Sequence, residues 1–312
     1  QEVLNAELHT RWPDAFSEID PAPLATASIA QVHRARLKEG TPVALKVQLP
    51  EADERVRADL QFFELAAKLL NDQTPGIDLE QVVRELSASI LLELDYFHEA
   101  ENLQRFHESY RAVEWTFPQL HPDLLSRRTL VMSFIEGKPI RHFLEEVPGA
   151  ASPLLRTLTQ SFVRQIFLTG LFHADPHPGN FFVTPRGQLA LLDFGAVGLL
   201  SPEQAVAYRN VLVALLNRQQ EGFVTLLLQA GFTVPNPEQA EALLFAEAPT
   251  DPAQLTRLRR YLQVMKEANV GIPDHFVLVA RVLISIGGLL KQHGVKLGPF
   301  DLAAMFMQES RS

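Results

Sequence analysis

The period of hydrophobic and polar positions changes several times along the chain. Residues 1–18 read as a short helix and turn. From Pro21 to Pro50 the pattern shifts to two β-favouring runs, Ile29–Arg36 and Val43–Leu49. Lys38-Glu39-Gly40-Thr41-Pro42 between them reads as a hairpin turn. From Glu51 to Leu70 the period is helical, and Leu60, Phe63, Leu65, Leu69 and Leu70 are expected to form one apolar stripe. A second helical stretch is expected from Leu79 to Phe106. Leu130–Ile135 reads as a short strand, which Glu136-Gly137-Lys138-Pro139 breaks.

After residue 150 the pattern is mostly helical. Leu154, Leu155, Leu158, Phe162, Ile166 and Phe167 give one amphipathic helix ending at Gly170. His173 to Asn180 is irregular, and Phe181–Val183 and Gln188–Leu192 read as strands joined by Pro185-Arg186-Gly187. Residues 202–310 read as four or five helices separated by Pro and Gly. The expected fold class is α+β, with a small mixed β/helix part over 1–136 and a mostly helical part over 137–312. A cleft between two such lobes is where a ligand is expected.

Composition narrows the function classes. With 312 residues, 46% hydrophobic and 21% charged, the chain has ordinary globular proportions, which excludes a disordered or fibrous repeat protein. The absence of cysteine excludes a disulfide framework, a cysteine nucleophile and a thiolate metal site, and it suits a reducing compartment. A net charge of −9 argues against non-specific nucleic-acid binding. No signal peptide is visible. The longest apolar stretch, Phe276–Leu290, contains Arg281 and falls short of the ~20 residues a membrane span needs, so a buried core helix is expected there.

Four segments carry chemistry. In Val43-Ala44-Leu45-Lys46, strand alternation puts Ala44 and Lys46 on one face, and a lysine beside a small residue can reach a nucleotide phosphate. The bland alternative is a solvated edge lysine. His173-Ala174-Asp175-Pro176-His177-Pro178-Gly179-Asn180 has the H-x-D-x-x-x-x-N spacing of a kinase catalytic loop. There Asp175 would orient the attacking hydroxyl or water, and Asn180 would offer an oxygen to Mg²⁺. The same segment also reads as H-x-D-x-H, a set that could ligate Zn or Fe. Leu191-Leu192-Asp193-Phe194-Gly195 delivers an aspartate at the end of an apolar strand, as a second oxygen ligand for a magnesium nucleotide. The ordered set Lys46, Asp175, Asn180 and Asp193 is far more specific than any one of these motifs. The fourth segment, Pro23 to His33, stands where a kinase has its glycine-rich loop but contains no glycine. Side chains there limit how closely backbone N–H groups approach phosphates, and Ser28 and Gln31 are the polar candidates.

Ala25-Thr26-Ala27-Ser28-Ile29-Ala30-Gln31-Val32-His33, Val43-Ala44-Leu45-Lys46, Glu93-Leu94-Asp95-Tyr96, Phe172 to Asn180 and Asp193-Phe194-Gly195 together resemble the UbiB/ADCK (AarF-type) atypical kinases, over roughly residues 18–235. The resemblance implies a protein-kinase-like bilobal fold and an alanine-rich loop in place of glycines. It also implies support of coenzyme Q or other prenyl-lipid metabolism, commonly at membranes, through an activity closer to ATP hydrolysis than to protein phosphorylation. It implies Glu99 as the partner of Lys46, where ordinary kinase spacing would choose Glu64. It further implies that Glu93 and Asp95 form an E-x-D motif facing an N-terminal extension. Asp95 and Glu99 are expected to share a helix face. The family's K-x-G-Q motif is not in this sequence, so the chain is expected to be a fragment lacking that extension.

The resulting expectation is an ATP- or ADP-binding atypical kinase or ATPase that uses Mg²⁺, with Mn²⁺ as the alternative ion. Asp175, Lys46 and Glu99 are the catalytic set, and Asn180 and Asp193 hold the metal. Ala27, Ser28, Ile29, Ala30, Gln31 and Val32 would line the nucleotide with Ala44. Met132, Ser133, Phe134 and Ile135 would form the hinge that meets adenine. A lipid or membrane surface is the partner the resemblance implies, at the cytoplasmic side of a membrane. A nucleotide-gated scaffold without catalysis, a small-molecule kinase of the aminoglycoside/choline type and a metal-dependent hydrolase are the alternatives.

Overall fold

The computed structural model describes residues 1–8, 11–70, 79–110, 115–246, 258–298 and 301. The chain divides into two compact units. Unit one comprises Gln1–Arg111, Trp115–Glu136 and Ala190–Gly195, and unit two comprises Ala112–Glu114, Gly137–Leu189 and Ala196–Ser312.

Unit one begins with helices α1 (Glu2–Leu8) and α2 (Arg11–Ala15), followed by strands β1 (Phe16–Thr26), β2 (Ala30–Leu37) and β3 (Pro42–Gln48). Helices α3 (Ala52–Leu70), α4 (Leu79–Glu93) and α5 (Tyr96–Ser109) and strands β4 (Trp115–Thr116) and β5 (Thr129–Ser133) complete it. An antiparallel sheet runs in the order β1-β2-β3-β5. Strand alternation sorts β3 into two faces. Val43, Leu45 and Val47 pack with Leu4, Leu8, Phe16, Ala35, Leu37 and Val131 into a core. Ala44, Lys46 and Gln48 take the opposite face, where buried Gln48 donates from Nε2 to the Leu94 carbonyl at 2.8 Å. The β2–β3 turn closes through Gly40 at φ +93°, with its N–H on the Leu37 carbonyl.

Three sequence expectations in this unit need correction. The segment after residue 15 is a strand of 11 residues, not a turn and a loop. Almost all of β1 beyond Phe16 is solvent-facing, so it lacks the alternation that marks strands. Backbone pairing with β2, through several register shifts, holds it instead. The expected stripe on α3 is not a core face: of its members only Leu60 is buried, while Phe63, Leu65, Leu69 and Leu70 are exposed, as is Phe62 beside them. The helix expected over Leu79–Phe106 is two helices, broken at Leu94–Asp95.

Unit two holds β6 (Lys138–Pro139), α6 (Ile140–Glu146), α7 (Ala151–Arg164), β7 (Leu171–His173), β8 (Phe181–Val183) and the start of β9 (Leu189–Leu191). It continues with β10 (Val197–Leu199), α8 (Pro202–Leu216), α9 (Phe223–Gln229), α10 (Pro237–Ala246), α11 (Leu258–Glu267) and α12 (Asp274–Gln292). Leu155, Leu158 and Phe162 form the buried face of α7, which ends in a π-type turn over Gln165–Thr169 and then Gly170 at φ +74°. The apolar Phe276–Leu290 stretch lies in α12 and buries Phe276, Val279, Val282, Leu283, Ile286 and Leu290. No helix among the described residues is long and apolar enough to cross a membrane.

The 173–180 segment hangs from a short antiparallel pair, β7 with β10, in which Phe172 faces Gly198. A Cβ at Gly198 would lie 2.2 Å from the Phe172 ring, and Phe172 is itself 1% exposed, so the ring has nowhere to go. Gly198→Ala is expected to cost about 3 kcal/mol. Urea unfolding would test this; an unchanged midpoint would mean that the ring can move aside.

Candidate active site

In unit one the sheet and α5 bring three charged groups together. Lys46 Nζ donates to both carboxylate oxygens of Glu99, at 2.8 and 2.7 Å, and lies 3.5 Å from Asp193 Oδ2. The Lys46 side chain is 16% exposed and that of Glu99 5%. Burial alone would lower the lysine's pKa, but the carboxylates of Glu99 and Asp193 outweigh it and raise the pKa well above the ordinary value. Burial pushes the Glu99 carboxyl up, and Lys46 pulls it back. The Tyr96 ring takes the ammonium on its face at 5.3 Å from the centroid, while its buried hydroxyl has no hydrogen-bond partner among the described residues.

The same helix face fixes the Asp193 segment. Glu99 Oε1 accepts the Phe194 N–H at 3.4 Å, and Asn102 Nδ2 donates to the Phe194 carbonyl at 2.9 Å. The Phe194 ring is fully buried against Phe106 and Phe117. Glu99, Asn102 and Phe106 stand at i, i+3 and i+7, one stripe of α5. Asp193 folds its Oδ1 back onto the Gly195 N–H at 2.8 Å.

The start of α5 explains where Asp95 went. It is the N-cap, in extended conformation, and accepts the Phe97 N–H at 3.0 Å. It therefore does not share a helix face with Glu99, as a continuous helix would require. Glu93 is the last residue of α4. Because α5 carries Glu99 on its first turn, the cap sets where that carboxylate stands. Asp95→Ala is expected to cost about 1 kcal/mol, read as a lowered urea midpoint. A neutral result would show that the cap does not anchor α5.

In unit two the 173–180 segment is tightly self-bonded. His173 is fully buried, and its Nδ1 accepts the Asp175 N–H at 3.2 Å. The His173 N–H donates to Gln165 Oε1 in the π-type turn at 3.1 Å. Asn180 Nδ2 donates to the Asp175 carbonyl at 3.1 Å, and His177 Nδ1 accepts the Gly179 N–H at 3.1 Å. The Asp175 carboxylate is held from α12, where Arg281 Nη2 donates to Oδ1 at 2.8 Å. The H-x-D-x-H metal alternative finds no support in this geometry. Among the described residues, no three His, Cys, Asp or Glu side chains gather into a metal-holding group.

With this geometry in place, a family model described as the ABC1 atypical kinase-like domain matches residues 1–227. The chain belongs to the ABC1 atypical kinase-like family. Its fold is accordingly protein-kinase-like. Protein ACTIVITY OF BC1 COMPLEX KINASE 3, chloroplastic, from Arabidopsis thaliana is 35% identical over 301 residues, covering 92% of this chain and 42% of the relative. Probable protein kinase UbiB from Azotobacter vinelandii is 29% identical over 326 residues, covering 98% and 60%. Across several such relatives the chain spans about half of their length. Among solved structures, Rv3197 from Mycobacterium tuberculosis, determined with erythromycin, is similar with a TM-score of 0.77 and 27% identity, covering 97% of this chain and 80% of that one.

The remaining residues singled out in the sequence of this ABC1 domain lie as follows. The alanine-rich loop is the β1–β2 tip: Ala27 and Ser28 are exposed, Ile29 is half-buried, and Ala30, Gln31 and Val32 begin β2. The tip is closed by the Ala27 N–H on the Ala30 carbonyl at 2.8 Å. Ala44 pairs with Met132 across β3 and β5. The N–H groups of Ser133 and Phe134 donate to the Gln119 and Pro42 carbonyls. Sequence reasoning passed over Tyr96, Asn102 and Arg281. The 3.6-residue spacing from Glu99 could have flagged Asn102, and a lone arginine inside an apolar helix could have flagged Arg281.

Proposed function

We propose that the chain binds ATP or ADP with Mg²⁺ and acts as an atypical kinase or ATPase in support of ubiquinone or other prenyl-lipid metabolism. The observation that carries this reading is the cluster in unit one: a lysine gripped by both oxygens of a buried glutamate and set 3.5 Å from the aspartate of D-F-G. A cation held that way keeps its charge and its position, which is what an α- or β-phosphate needs. Lys46 orients the phosphates, Glu99 orients Lys46, and Asp175 positions the attacking hydroxyl or water. With Ser133 and Phe134 N–H groups already used, adenine meets the backbone at Ile135 and Glu136. The exposed Ala27–Ser28 tip covers the phosphates through side chains rather than through close backbone approach.

The donor set fits a hard divalent ion. Asp193 offers a carboxylate. Asn180 spends its amide N–H on the Asp175 carbonyl, so the end of the amide left to coordinate is its oxygen. Bound there, Mg²⁺ or Mn²⁺ would neutralise phosphate charge. The prenyl-lipid assignment and a peripheral seat on a membrane rest on family membership.

Steady phosphate release from ATP is the test. Asp175→Asn is expected to lower it by about a hundredfold or more while nucleotide still binds. Equal release from both proteins would remove Asp175 from catalysis. One observation favours a second reading, a nucleotide-gated scaffold: Arg281 occupies Asp175. Nucleotide binding without any release from the wild type would select it.

A further inference from the structure

A cavity of about 410 Å³ in unit two lies outside the residues assigned above. Its walls come from three places: Arg141 and His142 at the start of α6, His177 and Pro178 in the catalytic loop, and Leu289 and His293 at the end of α12. No Asp or Glu is among its described lining residues. That is an unusual donor set in a chain of net charge −9.

Each wall offers a donor. His177 Nδ1 accepts the Gly179 N–H, so its proton sits on Nε2, leaving an N–H to give. His293 lines the third wall, and its Nε2 is buried without a hydrogen-bond partner among the described residues. Arg141 is tied to Glu145 through Nε, at 3.3 Å, and among the described residues its terminal nitrogens have no partner. The three imidazoles do not converge as a metal site would require. Donors spread around a cavity of this size suit an anionic head, and Pro178 and Leu289 provide contact for a compact apolar body.

We propose that this cavity binds a small phosphate monoester, its head held by Arg141, His142, His177 and His293 and its apolar body against Pro178 and Leu289. The site is independent of the nucleotide reading. It is also connected to the catalytic loop, because His177 stands two residues after Asp175. Leu289 follows Arg281 by two turns of α12, about 12 Å along the axis.

Titration of the chain with phenyl phosphate, followed by calorimetry, tests the proposal. Arg141→Gln and His293→Gln are each expected to weaken binding by about tenfold or more. Both variants should keep the wild-type melting temperature and its response to Mg-ATP, since neither residue belongs to the nucleotide machinery. Vesicles of phosphatidylcholine with and without phosphatidic acid separate two sources of the same chemistry. Variant-sensitive binding to the phosphatidic acid vesicles assigns the head to a lipid, and binding to phenyl phosphate alone assigns it to a free metabolite. Wild-type affinity in both variants, or phenol binding as tightly as phenyl phosphate, would overturn the proposal.

Discussion

Lys46→Met is expected to abolish the thermal stabilisation that Mg-ATP gives the wild type, and to lower stability by about 3–5 kcal/mol even without nucleotide. The second effect follows from burial. Glu99 is 4% exposed, and its charge is tolerated because Lys46 bonds both oxygens. Removing the ammonium leaves a carboxylate in a nearly dry site, with the Phe194 N–H as a weak remaining donor at 3.4 Å. The pH dependence has a definite sign. In the wild type the lysine's pKa is raised, so its stabilisation is complete below its ordinary value of 10.5 and is lost only as pH rises through the higher folded value. In the variant the dominant group is Glu99, already pushed up by burial and now without its counter-ion. A group with a raised pKa favours folding in acid, so the deficit relative to wild type should shrink as pH falls toward the ordinary glutamate value of 4.5. The Lys46→Met/Glu99→Gln double variant should recover much of the loss. Chemical denaturation of the wild type, Lys46→Met, Glu99→Gln and the double variant at two pH values measures this; a deficit that is constant with pH and not relieved by the second substitution would refute a coupled pair.

Asp193→Asn should leave the fold nearly intact and remove the response to divalent metal. The carboxylate is 43% exposed at its side chain, so no deep cavity opens and no buried charge is stranded. The fold near it is set by the next residue: Phe194 is fully buried and its carbonyl is held by Asn102. What the substitution takes away is the negative charge that a hard divalent ion needs. Turnover with Mg-ATP is expected to fall by about a hundredfold or more, since losing a metal ligand should cost at least as much as losing an outer partner of one. The urea midpoint should shift far less than in Lys46→Met. Mg-ATP raising the melting temperature of Asp193→Asn as much as that of wild type would remove the metal role.

The residues of the Lys46 cluster were more legible than the architecture around them. Val43-Ala44-Leu45-Lys46 names its lysine because strand alternation is a strict two-residue rule, and the structure puts Lys46 beside Glu99 and Asp193. The choice of Glu99 over Glu64 came from family resemblance, because Lys46 and Glu99 are fifty-three positions apart with helices α3 and α4 between them, and spacing alone says nothing about that contact. The break before Tyr96 was hidden for a different reason. Asp95 is an ordinary N-cap type, but the apolar period runs through it uninterrupted. The exposed β1 strand is supported by backbone pairing and offers no side-chain rhythm at all. Arg281 was visible as an interruption in an apolar run, yet its partner lies 106 residues away and only the packed fold identifies it.

The exposed row on α3 has a practical consequence for all of these measurements. Phe62, Phe63, Leu65 and Leu69 are each more than half exposed in the folded chain. Dyes that brighten on greasy surfaces will therefore glow before any melting begins, and their upward step on heating will be shallow. Tryptophan emission is the better optical handle, but it has its own bias. The chain has two tryptophans, Trp12 and Trp115, and both belong to unit one. A melt followed at that wavelength reports the unit that holds Lys46 and Glu99. The unit that holds Asp175 needs circular dichroism or calorimetry.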